Sequence, residues 1–463
     1  MKRRPAIGLL PFYLKLYDDT WPQLRQEFEP FLAQIVEGFE GRGVGVARAP
    51  ICRLKEEFKT ALDSFEQSDV DLIVTLHLAY SPSLMSADLL AATARPILML
   101  DTTMDAEFGP NVDPARIMFD HGIHGVQDLA CMLRRRGKPF AIAAGHVTKS
   151  DVLERAAGIA RAAHAARLLK MARVLQIGES FAGMGDFAVA ETILRAVLGI
   201  SVTQMGTDEL VSAVEQVQPE EIEQEMATDR RRFVVDAPED VHRRSVRLGL
   251  GLRRILDTGD YLAFSMNFLA FNSDEGPVDT VPFLEASKAM GRGLGYAGEG
   301  DVLTAALVGA LNQAFGQTTF TEIFCPDWRG NSLFLSHMGE INPEVAAERP
   351  RLCEKDFPWT AARNPAVITC APKPGPAVLA NLAPGPGDTF DLIVAPVEVL
   401  GDAVNPELRD SVRGWIRPAK PLASFLEEYS RHGGTHHSAL VLGDYTEAIA
   451  AFASFAEIEA VVL

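Results

Sequence analysis

A chain of 463 residues is too long for one ordinary core, and at ~100–200 residues per domain it should divide into two to four. Hydrophobic residues make up 47% and charged residues 23%, a composition that excludes a disordered, collagen-like or disulfide-stapled protein. The formal net charge of −18 repels nucleic-acid phosphates and anionic lipid surfaces, so neither nucleic acid nor membrane is an expected partner. A neutral or cationic small molecule fits better.

The five cysteines, Cys52, Cys131, Cys325, Cys353 and Cys370, are odd in number and form no CxxC pair, as in a reducing, cytoplasmic setting. The apolar stretch after Met1-Lys-Arg-Arg4 is broken by Pro5, Pro11 and Lys15, so it reads as a first strand and not as a secretory leader. No run approaches the ~18 apolar residues of a membrane span.

In chain order, short apolar runs at Ala6–Leu10, Gly43–Ala49, Val70–Leu76, Pro96–Leu100 and Phe140–Ala144 read as buried strands. Between and after them, Pro22–Phe39, Lys55–Phe65, Ser83–Ala94, Gly122–Arg136 and Ser150–Ala172 carry helical spacing, which predicts a doubly wound parallel sheet over residues 1–172. A second βα series over 173–316 has strands at Val174–Ile177, Ser201–Met205 and Tyr261–Met266 and helices at Phe187–Leu198, Thr207–Gln216, Pro238–Leu256 and Asp279–Met290. Over 317–463 the texture changes: Phe320–Phe324, Leu333–His337, Ala366–Ala371, Ala377–Leu382, Phe390–Val397 and Ser438–Leu442 are strands without long helices between most of them. The expected fold is therefore two Rossmann-like α/β domains followed by an antiparallel, β-barrel-like domain.

Gly293, Gly295 and Gly298 spell GxGxxG, the pattern of a dinucleotide loop. Its context argues otherwise, because Phe283–Met290 before it reads as helix, and Glu299 and Asp301 would set negative charge where a pyrophosphate belongs. No nucleotide is expected. Asp301 is placed as the N-cap of a helix carrying Leu303, Ala306, Leu307, Ala310 and Leu311 on one face. Glu299 lies just ahead, where the helix dipole favours an anion and flanking glycines permit close approach.

Alternation puts Glu322 on the face of Phe320 and Phe324, and His337 on that of Leu333 and Leu335. An ionised carboxylate on an apolar face must be paired, hydrogen-bonded or metal-bound. The segment Pro326–Asn331 has hairpin-turn composition, and symmetry about Arg329–Gly330 would set Glu322 opposite His337 with Cβ atoms ~4.5–5.5 Å apart. That arrangement serves a shared metal ion or a buried ion pair equally well. In Gly433-Gly-Thr-His-His-Ser438 an extended chain sends His436 and His437 to opposite sides, so at most one should ligate. Two carboxylates with two imidazoles suit Mn²⁺, Co²⁺ or Fe²⁺ better than a structural zinc. His121, His124 and His146 stand near strand or helix ends in the first domain.

The segments Gly295-Tyr-Ala-Gly-Glu-Gly-Asp301 with Thr304-Ala-Ala-Leu307, Thr319-Phe-Thr-Glu322, Ser336-His-Met-Gly-Glu340 and Gly433-Gly-Thr-His-His437 come in the order seen in L-arabinose isomerases. The chain resembles that family, within the L-arabinose/L-fucose isomerase superfamily. The resemblance implies an aldose–ketose isomerase with Glu299, Glu322, His337 and His437 as ligands of Mn²⁺, Co²⁺ or Fe²⁺. Weaker similarity at Asp120-His-Gly-Ile-His124, Ala144-Gly-His146 and Ser265-Met-Asn-Phe268 implies His124 and Phe268, together with His436, around the sugar. It further implies a homohexamer whose sites a neighbouring subunit completes.

Where the family has Gln-His-Leu-Tyr after the first strand, this chain has Leu14-Lys-Leu-Tyr17, which leaves the sugar open among pentoses, hexoses and tetroses. The implied chemistry is a metal on two adjacent sugar oxygens, with Glu299 and Glu322 sharing the proton transfers of an ene-diolate route. A non-catalytic carbohydrate-binding relative, or a metal-dependent sugar lyase or aldolase, is the alternative. The presence of both glutamates favours turnover, and carbon–carbon cleavage products would mark the lyase.

Overall fold

The computed structural model describes residues 3–401 and 406–463. Two compact units divide it, Met1–Arg167 with Glu447–Phe455, and Leu168–Thr446 with Ala456–Leu463. In the first, β1 (Ala6–Phe12), β2 (Gly45–Arg48), β3 (Leu72–His77), β4 (Ile97–Asp101) and β5 (Ala141–Ala144) form a parallel sheet in the order β2-β1-β3-β4-β5. Every residue of β3 and all but the first of β1 are buried, as expected of parallel strands covered on both faces. Phe58, Ala61, Leu62 and Phe65 of the helix Lys55–Gln67 share one core with Leu10, Ile73 and Met99 of the sheet and with Val126, Leu129 and Leu133 of the helix Ile123–Arg135.

The second unit opens with β6 (Arg173–Ile177), β7 (Ser201–Met205), β8 (Val234–Val235), β9 (Ala263–Met266) and β10 (Gly295–Gly298). Four of these make a parallel sheet, β10-β9-β6-β7. The strands β11 (Thr318–Asp327), β12 (Ser332–Ser336), β13 (Arg351–Glu354), β14 (Ala366–Thr369), β15 (Gly375–Pro384), β16 (Phe390–Val399), β17 (Gly414–Pro418), β18 (His437–Leu442) and β19 (Glu459–Val462) follow. Antiparallel pairing runs β15-β18-β11-β12-β17-β16 and returns from β16 to β15, closing a six-stranded barrel that leaves no free edge in the ring. Outside the ring, β19 adds in parallel to β16, and β13 joins β14 and β8 in a small separate sheet.

One helix ties the parallel sheet to the barrel. Val302–Phe315 is apolar on nearly every side, touches β9, β10 and β6 as well as β11, β18 and β15, and is buried from Val302 through Asn312. It can lie that close because Gly295 has no Cβ; one built there would stand 2.1 Å from the Ala305 carbonyl oxygen.

The two Rossmann-like sheets and the closing β-barrel agree with the fold class read from the sequence. The strands β8, β10, β13 and β19 have no counterpart among the predicted elements, and other local assignments differ as follows. The helix Pro219–Arg232 buries only Ile222, Met226 and Asp229 among many charges, too thin an apolar stripe to signal itself. The stretch before Glu191 is not helical, so Phe187–Leu198 shrinks to its last turns. The last third contains helices at Leu422–Arg431 and Thr446–Ala456. It also contains β17, short and ending in proline, without which the barrel would stay open. Among the described residues no helix is long and apolar enough to cross a membrane.

His77, at the end of β3, stacks on Phe12 at 4.4 Å and is packed against Gly125. Burial pushes its pKa from 6.5 down to about 3, with Asp128 opposing more weakly. The folded form therefore refuses a proton that the unfolded chain accepts. The resulting loss of stability is absent above pH 6.5 and grows as pH falls toward 3, by up to ~1.4 kcal/mol per pH unit. His77→Phe, which keeps a ring against Phe12, should move the acid-unfolding midpoint to lower pH when followed by near-UV circular dichroism. An unchanged midpoint would show that His77 does not limit acid stability.

Candidate metal and proton-transfer centre

Parallel strands deliver their next residues to one edge of a sheet, and here the carboxyl ends of β6, β9 and β10 lead into the loops that carry the polar groups. Glu299 follows β10 directly, with φ of 62°. A non-glycine residue in the left-handed region is strained and persists only where its surroundings hold it. The main chain does so. The Glu299 carbonyl accepts from Phe181 N–H at 2.8 Å, and the Gly300 carbonyl accepts from Gln176 Nε2 at 2.9 Å. Gly300 has φ of 78°, and a Cβ there would stand 2.6 Å from Ser180 Cα, so only glycine fits beside the strained glutamate.

The opposite wall comes from the barrel. His337 lies one residue past β12, His437 begins β18, and Glu322 lies within β11. Glu299, His337 and His437 each offer one ligand atom within 4.8 Å of the others, and all three residues are buried. Phe320 stands edge-on to both imidazoles, 4.7 Å from His337 and 4.9 Å from His437.

Each imidazole is fixed from behind by a carboxylate. His337 Nδ1 donates to Glu340 Oε2 at 2.8 Å, and His437 Nδ1 donates to Asp301 Oδ2 at 3.0 Å. An ionised carboxylate can only accept, so Nδ1 carries the hydrogen and Nε2 of a neutral ring presents its lone pair. Both Nε2 atoms are buried without a hydrogen-bond partner among the described residues. Buried lone pairs converging with a buried carboxylate, each imidazole backed by an acid, are what a divalent cation requires, so these residues fit one. Glu340 is itself held by Tyr296 Oη–H at 2.8 Å and by the Gly339 N–H at 2.8 Å.

Glu322 sits outside the tight group of three. Its Oε2 is 4.0 Å from His337 Nε2, and its side chain is 24% exposed. The direct opposition of Glu322 and His337 expected from a symmetric hairpin is corrected by the register: Glu322 pairs with Ser336, because a bulge at Phe324 shifts the ladder by one. The same bulge turns Phe324 outward to 47% exposure, so it shares no buried face with Glu322. Burial raises the Glu322 pKa, against the weaker pull of His337. Burial would raise Glu299 too, but the close approach of His436, with the attraction that His337 and His437 add whenever they are protonated, outweighs it, and its pKa is lowered.

His436 does not point away from His437 as an extended pair would. The ring centroids are 4.3 Å apart and both Nε2 atoms approach Glu299 Oε2, His436 at 3.6 Å and His437 at 3.5 Å, because β18 starts only at His437. His436 Nδ1 donates to Asp186 Oδ2 at 2.6 Å. Burial alone would lower the His436 pKa, yet Asp186 and Glu299 carry it up to about 10, while the same bond holds Asp186 down to about 2 against its own burial.

Phe268 is buried, with its ring 5.7 Å from that of Phe181 and 5.5 Å from that of Phe357. His124 belongs to the first unit, in the opening turn of the helix Ile123–Arg135, with its ring 6.0 Å from that of His121. Sequence reasoning gave Asp301 its capping role, which it fills by accepting from Thr304 N–H at 2.8 Å, but missed its second bond to His437. It also missed Glu340, Tyr296 and Asp186. The spacing Ser336-His-Met-Gly-Glu340 was a usable signal for Glu340; an aspartate in a glycine-rich loop offered none for Asp186.

Comparison with known proteins adds two domain-level matches. A model of the L-arabinose isomerase central domain matches residues 183–316, and one of the L-arabinose isomerase C-terminal domain matches residues 317–459. An L-arabinose isomerase of Nocardioides sp. is 27% identical over 442 residues, covering 90% of this chain and 86% of that one. One from Shouchella clausii is 28% identical, covering 89% and 84%, and one from Thermotoga maritima is 27% identical, covering 86% and 82%.

A methyl group at position 298 tests the arrangement, since a Cβ on Gly298 would lie 2.7 Å from His337 Cε1 and 3.1 Å from Nε2. Gly298→Ala should swing that imidazole off its bond to Glu340 and weaken divalent-cation binding by ~10–100-fold, as loss of an outer carboxylate partner does. Calorimetric titration of chelator-stripped protein with Mn²⁺ measures it. Equal affinity would mean that His337 is not a ligand.

Proposed function

We propose, from the premise that this chain belongs to the L-arabinose isomerase family and is an aldose–ketose isomerase, an intramolecular oxidoreductase, that it acts on a small neutral sugar such as L-arabinose with a bound Mn²⁺ ion. The observation that carries this reading is the pair of buried Nε2 atoms facing Glu299 that have no hydrogen-bond partner among the described residues, on imidazoles each backed by a carboxylate. Glu299, His337 and His437 would hold the ion, with Glu322 at its edge. A divalent cation there supplies Lewis acidity toward adjacent sugar oxygens.

The chain's own groups divide the remaining work. Glu299, held below its ordinary pKa, stays ionised and serves as a ligand. Glu322 is the carboxylate with room to move a proton: it is partly exposed, lies outside the tight group, and burial raises its pKa. It would take the proton from C2 of the open-chain aldose and return it to C1, while the hydroxyl proton passes from O2 to O1. His436, cationic at neutral pH with its ring 30% exposed, would donate through Nε2 to a sugar oxygen as negative charge develops. Phe320 and Phe187 line the inner side of the imidazoles with aromatic rings and keep water from that side.

Screening aldoses in the presence of Mn²⁺ and following ketose formation tests the activity; cleavage products, or no turnover of any aldose, would overturn it. Exhaustive chelation should abolish turnover, and Mn²⁺ or Co²⁺ should restore it better than Ca²⁺, because imidazole ligands suit transition metals. Full activity in verified metal-free protein would remove the ion from the account. Glu322→Gln should lower kcat by ~10²–10⁴, the usual worth of a positioned acid or base. Its metal-free thermal midpoint should hold or rise, because a partly buried charge has been removed. A lowered midpoint with unchanged kcat would show Glu322 to be only an ion-pair partner.

A further inference from the structure

Three histidines approach Glu299, and each has a carboxylate on Nδ1. In two pairs, Glu340–His337 and Asp301–His437, the side chains are at most 2% exposed and belong to the cation cluster. The third is built differently. Asp186 and His436 side chains are 35% and 30% exposed, and Asp186 comes from the loop after β6 and not from the barrel or its flanking helix.

A single oxygen does two jobs in this third pair. Asp186 Oδ2 accepts the His436 main-chain N–H at 3.1 Å and the His436 ring Nδ1–H at 2.6 Å. Bonds from one acceptor to the backbone and the ring of the same residue close a small cycle, which restricts both side-chain torsions of the histidine. The ring is then left with Nε2 on the Glu299 side, 3.6 Å from Oε2. Without the carboxylate, a ring 30% exposed is free to rotate toward solvent.

Asp186 is not the sole anchor of its loop: Phe187 beside it is 1% exposed and stacked on His437 at 5.2 Å with a 10° interplanar angle. Before it, a Cβ added at Gly183 or Gly185 would meet nothing within 4 Å.

We propose that Asp186 is a positioning residue of this enzyme, holding the His436 ring so that Nε2 meets an oxygen of the open-chain sugar while Asp186 itself touches no substrate. This rests on the aldose–ketose isomerase reading. It assigns the loop after β6 a part in catalysis.

The experiment compares Asp186→Ala, Asp186→Asn, His436→Ala and the double variant Asp186→Ala/His436→Ala with the unaltered chain. Each is measured for kcat and KM on the aldose the unaltered chain turns over, for thermal midpoint, and for Mn²⁺ affinity after stripping. Asp186→Ala should lower kcat/KM by ~10–100-fold, the range for loss of an outer carboxylate partner, and leave midpoint and Mn²⁺ affinity in place. Asp186→Asn should recover part of the loss, since its amide oxygen can accept the same two N–H groups. The double variant should be no slower than His436→Ala, because a residue acting through another has nothing left to act on. Additive losses, or a lower midpoint with unchanged kcat/KM, would overturn the proposal. If the unaltered chain turns over no aldose, the isomerase reading fails separately. The positioning claim is then judged by the low-field proton resonance of the short Asp186–His436 bond, which should be present in the unaltered chain and lost in Asp186→Ala; its absence from both would overturn it.

Discussion

A carboxylate on the Nδ1 of every histidine that faces Glu299 is the constraint from which the rest of the centre follows. Buried imidazole is ambiguous, since either nitrogen can carry the hydrogen and the ring can turn; an ionised acid, which can only accept, removes both freedoms. Glu340 does this for His337, Asp301 for His437 and Asp186 for His436. The consequence is two buried lone pairs aimed at a buried glutamate, an arrangement costly to leave empty and well suited to a divalent cation.

The backbone yields to this constraint at several points. Glu299 adopts a left-handed conformation so that its carboxylate leaves the end of β10 toward the barrel, and the glycines on both sides are fixed by contact: Gly298 by the His337 ring, Gly300 by the main chain at Ser180. The bulge at Phe324 changes the ladder partner of Glu322, leaving that carboxylate within 4.0 Å of His337 but outside the tight group. Strain and irregularity here coincide with the chemistry, as expected where surrounding packing holds residues in uncommon conformations. The helix Val302–Phe315 makes this affordable, because its burial between the parallel sheet and the barrel brings the two walls together and its first turn carries Asp301.

Much of this was legible along the chain, and for a definite reason. Strands and helices announce themselves by periods of two and 3.6 residues, which are local, so the two parallel sheets, the change to antiparallel texture and the Asp301 cap could be read directly. Short motifs survive for the same reason: the segments carrying Glu299, Glu322, His337 and the His436–His437 pair each lie within a few residues. What faded were elements with weak stripes, such as Pro219–Arg232 with three buried residues, and the short β17.

The sequence by itself determined which residues could supply chemistry, because charge and hydrogen-bonding capacity belong to the side chain wherever it goes. Tertiary structure decided which of them meet and how they are turned. Asp301 reaches His437 across 136 positions and Asp186 reaches His436 across 250, separations at which no periodicity carries information. Whether Glu322 opposes His337 or Ser336 turned on one extra residue in a ladder, and whether His436 and His437 diverge or converge turned on where a strand begins. Each outcome was settled by packing among distant segments, since only the assembled barrel and sheet determine which register and which ring orientation leave no buried charge without a partner.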